Sequence, residues 1–435
     1  MKKLVLMMVG FFLISTANAQ EDKEALKAQK EAQKEAEHTL KKARTTYELS
    51  IPNPQYGRKE TDFEKLGGAL PLIQSARENE YTVNNMQTWR VSADIEYEYN
   101  KKLDNEVKAD PDNSELMEKY VESCANLVTY CIKFDSLMQE APKVKADEKK
   151  TNHERYRNMA TNPAIQLLQA SQGYSNGESE DSLKKGLKYS ELFSYAMEKS
   201  SLMSDFKNEK LDEWKTYAKA FRAQSLLNMK GTSEETIVNA YKALMGTTFK
   251  ANAYQSLVNY YRDKDQAKQN QYLQEGIEAL KGDAERKDLR ANFAIMLMQS
   301  QFQKGDKEGF KKTAALVKSE FSDNDNAINA YLMEGQMAFE DKNFDEAKAI
   351  FLAAKEKFPD EPKTLLMAAR SAWMKAQNNG SKKEDMEEAI KLFRQLEDEN
   401  ADDPDLWGES LYVLYNNTNQ TALRDKYKKY YNAGK

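Results

Sequence analysis

Proline and glycine are scarce in this 435-residue chain, at nine and 17 residues, and no proline falls between Ala164 and Phe358. Strand-rich folds need a turn residue about every ten positions, so this supply excludes a sandwich or barrel and leaves helices. Two cysteines cannot build a disulfide framework, and no Cys/His spacing along the chain suits a zinc site. Neither charge dominates: 65 basic residues against 70 acidic ones leave no strongly basic domain, which excludes the electrostatic footprint of a nucleic-acid binder. Long apolar runs are missing too. The longest, Leu4 to Ile14, is short of the ~20 residues that span a bilayer.

That run follows Lys2 and Lys3 and precedes Ala17 and Ala19, an A-x-A ending. The pattern predicts a signal peptide over 1–19, cleaved after Ala19. The mature protein is then expected in the periplasm, or associated with the outer membrane, of a Gram-negative-type bacterium, with no membrane insertion after cleavage. No cysteine stands at the cleavage site to carry a lipid. In such an oxidising space Cys124 and Cys131 need weighing. They share a helical face two turns apart, roughly 10.5 Å along the axis, beyond the reach of a disulfide. Two buried thiols are expected, with an intermolecular bridge as the open alternative.

Residues 20–57 read as a charged helical leader and linker. The stretch 21–50 holds seven acids and seven bases among alanines, with few large apolar side chains. Strong propensity and i,i+4 Glu/Lys pairs predict a helix with almost nothing to bury, frayed and solvated. "SIPNPQYG" (50–57) breaks it. Beyond, amphipathic runs alternate with short polar turns such as "GYSNGESED", "MKGTSEE", "KGDKEG" and "FPDEP", the rhythm of antiparallel helical hairpins.

One stretch sets the register. Counted from Ile328, Tyr331 falls fourth, Gly335 eighth, Ala347 twentieth, Phe351 twenty-fourth, Ala354 twenty-seventh and Pro359 thirty-second. This resembles the tetratricopeptide (TPR) repeat, a 34-residue helix pair, although Glu334 and Ala338 replace the usual leucine and tyrosine. Small Gly335 and Ala347 would let the two helices approach, Phe351 and Tyr331 would fill gaps between hairpins, and Pro359 would stop the second helix. First-helix anchors recur at Trp214, Tyr254, Phe293, Tyr331, Leu365 and Trp407, spaced by 40, 39, 38, 34 and 42. Further back, Trp89 precedes small Ala93, and "ATNPAIQLLQASQGY" with the Gly186 run reads as another helix pair. The resemblance implies an all-α, right-handed superhelical solenoid of antiparallel hairpins. Degenerate repeats are expected over 58–200 and TPR-like ones over 201–435, best at 328–361 and then 362–396.

No chemistry can be assembled. His38 and His153 both lie in charged runs and are expected to be solvated. "DNDN" (323–326) lacks the glycine and glutamate of a calcium loop, and no phosphate loop, nucleophile elbow or singular carboxylate pair is present. The chain is expected to be no enzyme and to hold no cofactor or metal.

Recognition by surface remains. The resemblance implies a concave groove lined by first helices, which by position would hold Met298, Phe302, Leu332, Gln336, Phe339, Leu366, Arg370, Trp373 and Met374. A polar, basic stretch would add Lys215, Lys219, Arg222, Gln255, Asn259 and Arg262. Met-rich surfaces adapt to apolar ligands, and Arg/Lys rows favour acidic segments, so the expected partner is a protein or peptide. The reading is an exported scaffold for an envelope assembly. Its alternative is a glycan- or nutrient-binding partner of an outer-membrane transporter, suggested by 23 tyrosines and four tryptophans, and self-association through open solenoid ends is a third option.

Overall fold

The computed structural model describes residues 18–431, so all but the last two residues of the expected signal peptide lie outside the described residues. Among the described residues there is no strand, and no helix is long and apolar enough to cross a membrane. The chain forms two compact units, Met1–Thr247 and Thr248–Lys435.

The first unit contains α1 (Asn18–Ser50), α2 (Phe63–Gly67), α3 (Leu70–Glu78), α4 (Met86–Ala109), α5 (Ser114–Glu140), α6 (Ala146–Ser175), α7 (Glu180–Lys199), α8 (Leu211–Asn228) and α9 (Glu234–Lys242). Helices α4 to α8 each pack against the next across short turns. Local chemistry ends and starts them: Asn85, Asn113, Ser179 and Ser233 each accept a hydrogen bond from a backbone N–H of the turn that follows. Such caps are worth about 1 kcal/mol apiece.

Two expectations need correction here. The leader is exposed from Ala25 to Glu35, but beyond it Ala36, Leu40, Ala43 and Tyr47 are buried. Spaced by four, three and four, they make one stripe, of which Leu40, Ala43 and Tyr47 pack on Leu66, Ile73, Val91 and Ile95. Alanine buries little area but permits close approach, which a count of large apolar residues misses. The end of α1 is closed by Arg58, whose guanidinium donates to the carbonyls of Glu48 and Leu49. The second correction concerns "ATNPAIQLLQASQGY", which does not begin a helix. α6 starts at Ala146 and runs through a buried Pro163, whose missing N–H leaves one intrahelical bond unmade. Packing of α6 against α5 and α7 carries the helix across that gap.

Cys124 and Cys131 are buried and free. Burial pushes the Cys124 thiol up to about 11. Neither side chain reaches the surface, which removes the intermolecular bridge.

The second unit contains α10 (Lys250–Tyr261), α11 (Gln266–Ala279), α12 (Lys287–Lys304), α13 (Lys307–Glu320), α14 (Ile328–Glu340), α15 (Phe344–Lys357), α16 (Pro362–Asn378), α17 (Lys383–Glu399), α18 (Gly408–Asn417) and α19 (Thr421–Tyr431). Each helix again packs on its successor, the antiparallel hairpin arrangement that the resemblance implies. α14 and α15 have 13 and 14 residues, whereas α4, α5 and α6 have 24, 27 and 30.

Close approach at the best-matching hairpin rests on Gly335. A Cβ there would stand 2.6 Å from the Phe351 ring. Phe351 therefore fills space inside its own hairpin, and it also clusters with Ala368 of the next. Gly276 repeats the device against Phe293 at 2.8 Å. Of the anchors, Tyr254, Phe293, Leu365 and Trp407 are buried and Trp214 and Tyr331 half-buried. Trp407, however, stands just before α18 instead of within its first turn, with its indole N–H donated to the Asn400 carbonyl at 2.8 Å.

Candidate functional site

The second unit carries the residues that the groove reading selects on α12, α14 and α16. On α14, Leu332 and Phe339 are half-buried against Ala338, Ala347, Phe351 and Ala368, with Phe339 edge-on to Phe344 at 5.3 Å. Gln336 is exposed and donates to Glu340 at 2.8 Å. At the matching positions of α16, Leu366 and Trp373 are half-buried on the neighbouring core, Arg370 is exposed and Met374 is 38% exposed. The Trp373 ring meets Phe393 edge-on at 6.1 Å, and its indole N–H is buried without a partner. Phe302 on α12 is half-buried against Phe310. These side chains present rims of aromatic and aliphatic carbon beside a few polar heads.

Met298 does not belong with them. It is fully buried, a core position of α12, because the helix packs on both α11 and α13. The basic stretch also reads differently in three dimensions. Lys219 pairs with Glu198 at 3.2 Å and Arg222 donates to Glu191 at 2.9 Å, both acids on α7. Lys215 lies 3.9 Å from Asp212. Their charge is matched within the first unit. Gln255, Asn259 and Arg262 belong to the second, where exposed Arg262 donates to Asn259 at 2.7 Å.

The first unit holds a polar network that the sequence reading misses. Asp94, on the buried face of α4, accepts hydrogen bonds from Arg155 and Tyr156 at 2.8 Å each. Burial pushes its carboxyl up, against the charge of Arg155. Nearby, the fully buried Asp135 of α5 accepts from Ser201 at 2.6 Å and pairs with His153 Nδ1 at 2.8 Å. His153 Nε2 faces Asp205 at 3.3 Å, and Arg157 pairs with the other Asp205 oxygen.

His153 is thus not solvated; its side chain is 15% exposed. Its partners lie 18 and 52 residues away, out of reach of any reading of the local charged run. A usable signal existed in Asp135, which falls on the same helical stripe as Cys131, Phe134 and Met138. An acid on an apolar stripe calls for a buried partner. His38 is exposed, as expected.

This trio is not a hydrolytic triad. Ser201 bonds to the carboxylate and the distal imidazole nitrogen turns to a second acid, so no base is aimed at the hydroxyl. Partial burial pulls the His153 pKa down, but hydrogen bonds and charge from Asp135 and Asp205 outweigh it and raise the net value. Arg157 chiefly holds the Asp205 carboxyl down to about 2. A cleft of about 410 Å³ adjoins this cluster, lined by Arg157, Asn158, Thr161 and Asn162 of α6 and by Asp205, Phe206 and Lys207.

No family model matches the chain, and no curated protein matches it. Among solved structures, the chain is similar to the crystal structure of yeast Tom70, with 14% identity over 91% of this chain and 90% of that one, at a TM-score of 0.24. It is also similar to a circular tandem repeat protein with novel repeat topology, with 12% identity over 91% and 95% of the two chains, at a TM-score of 0.20.

Proposed function

We propose that this chain is a non-enzymatic scaffold that binds a protein partner, taking a peptide segment or subunit against the first-helix faces of its second unit. The observation that carries this is the row of incompletely buried apolar side chains at matching positions of the first helices of successive hairpins: Leu332 and Phe339 on α14, Leu366, Trp373 and Met374 on α16. Side chains of this kind, flanked by Gln336 and Arg370, suit an amphipathic or extended peptide, because aromatic anchors supply most binding energy while a few polar groups set register.

Replacing Phe339 and Trp373 together with alanine should abolish capture of protein partners from an envelope fraction, while the circular dichroism melt stays cooperative. Retained capture would sink the reading, and so would strong signals on a glycan array without any co-purifying protein. A double variant that melts far earlier would instead make both positions core.

Export belongs to the same proposal, supported by the Lys-flanked apolar run and the A-x-A ending at Ala17–Ala19. Mass spectrometry of the protein from its native host should find a mature chain beginning at Gln20. A chain beginning at Met1 would place the scaffold elsewhere.

A further inference from the structure

The segment 200–210 that joins α7 to α8 is fastened in two different ways. Its first part is held by carbon: Leu202 and Met203 are buried, and Ser201 reaches Asp135. From Ser204 onward it is exposed except for half-buried Phe206. The polar tie of that outer part to the helices is Asp205, bonded to His153 and Arg157 of α6.

We propose that doubly protonated His153 is a pH-sensitive clasp that pins the outer part of this segment to α5 and α6, and that loss of one proton loosens it and widens the adjoining cleft. Both ring nitrogens face carboxylate oxygens, Nδ1 toward Asp135 at 2.8 Å and Nε2 toward Asp205 at 3.3 Å. A carboxylate only accepts, so both contacts are hydrogen bonds only when both nitrogens carry a proton. Neutral imidazole has one N–H. Asp135 is fully buried, with only Ser201 and a longer contact from Gln139 at 3.3 Å donating to it besides the ring, whereas Asp205 is 56% exposed to solvent, so the remaining proton stays on Nδ1. The Nε2 lone pair then meets the Asp205 carboxylate, and the contact turns repulsive.

The charged groups around the ring are Asp135 from α5, Asp205 from the segment, Arg157 one turn along α6, and Lys207 on the wall of the same cleft. After deprotonation Arg157 alone retains Asp205. Two acids, only one of them paired with Arg157, favour the charged ring and outweigh its burial, which places the loosening above the ordinary imidazole range.

The chain has only two histidines, and the His153→Gln variant assigns the ring signals of each. In the full-length, ¹⁵N-histidine-labelled protein, the His153 ring signals should titrate above the ordinary imidazole value of 6.5. Asp205→Asn, at an exposed site, should move the His153 titration down toward that ordinary value without loss of helicity. Trypsin cleavage after Lys207 and Lys210, normalised to cleavage after exposed Lys59, should rise several-fold as pH passes through the His153 transition. In Asp205→Asn and in His153→Gln that ratio should be high and flat across the same range. The clasp is refuted if His153 titrates at or below 6.5, if the wild-type ratio does not change, or if Asp205→Asn keeps the wild-type slope.

Discussion

Replacing Phe351 with alanine should destabilise the second unit by about 3–5 kcal/mol, the usual cost of emptying a buried aromatic site. The ring is fully buried, touching Gly335 inside its hairpin and clustering with Ala338, Ala347 and Ala368. Gly335→Ala alone should also destabilise, by about 1–3 kcal/mol, because the new methyl would stand 2.6 Å from carbons of a fully buried ring. The informative experiment is the pair. With Phe351 already truncated, Gly335→Ala loses its clash and gains helix propensity of up to about 1 kcal/mol. The two changes should therefore be strongly non-additive when protection of α14 to α16 is followed by hydrogen exchange under denaturant. Additivity within about 0.5 kcal/mol would show that the glycine–ring contact does not set the spacing of these helices.

The second large effect concerns pH. Glu96 of α4 is pushed up to about 7, mainly by burial, with a hydrogen bond from Ser123 and the charge of Arg77 opposing it and Glu122 adding to it. A carboxyl raised in the folded state binds its proton more tightly there than in the unfolded chain. Stability is then full below the unfolded value of 4.5, falls as pH rises toward 7, and stays lower above. At about 1.4 kcal/mol per unit, the loss reaches roughly 3 kcal/mol at most. Glu96→Gln keeps the shape and removes the ionisation. It should leave stability near pH 5 almost unchanged, raise that of the first unit at pH 8 by roughly 1–3 kcal/mol and flatten the profile. Hydrogen exchange of α4 and α5 peptides provides the readout, and a variant less stable than wild type at pH 8 would contradict the assignment. His153 acts in the same direction: its folded value is raised, so its contribution is complete below about 6.5 and fades as pH climbs through the higher folded value.

The hairpin rhythm was open to reading because its signals are local. Turn chemistry at Asn113, Ser179 and Gly305 sits within a few residues of the helix ends it controls, and Gly335 with Ala347 and Phe351 shows its spacing within one repeat. Local pattern was a poorer guide to individual burial. Met298, Leu332 and Trp373 all stand on helical apolar stripes, yet one is sealed and two are half-open. The difference is made by which neighbouring helices cover each turn.

By itself, then, the amino-acid sequence determined the all-helical class, the positions of most turns, and the register in which small residues meet rings. Backbone propensity, capping and proline placement act over a few residues and carry their own information. Tertiary structure alone decided that the charged leader buries its second half, that α6 continues through Pro163, that Lys219 and Arg222 are spent on α7 acids, and that His153 sits between two carboxylates. Each outcome depends on partners brought together from distant parts of the chain. The free energy of a charge or an alanine depends on what covers it, and that is known only once the helices have packed.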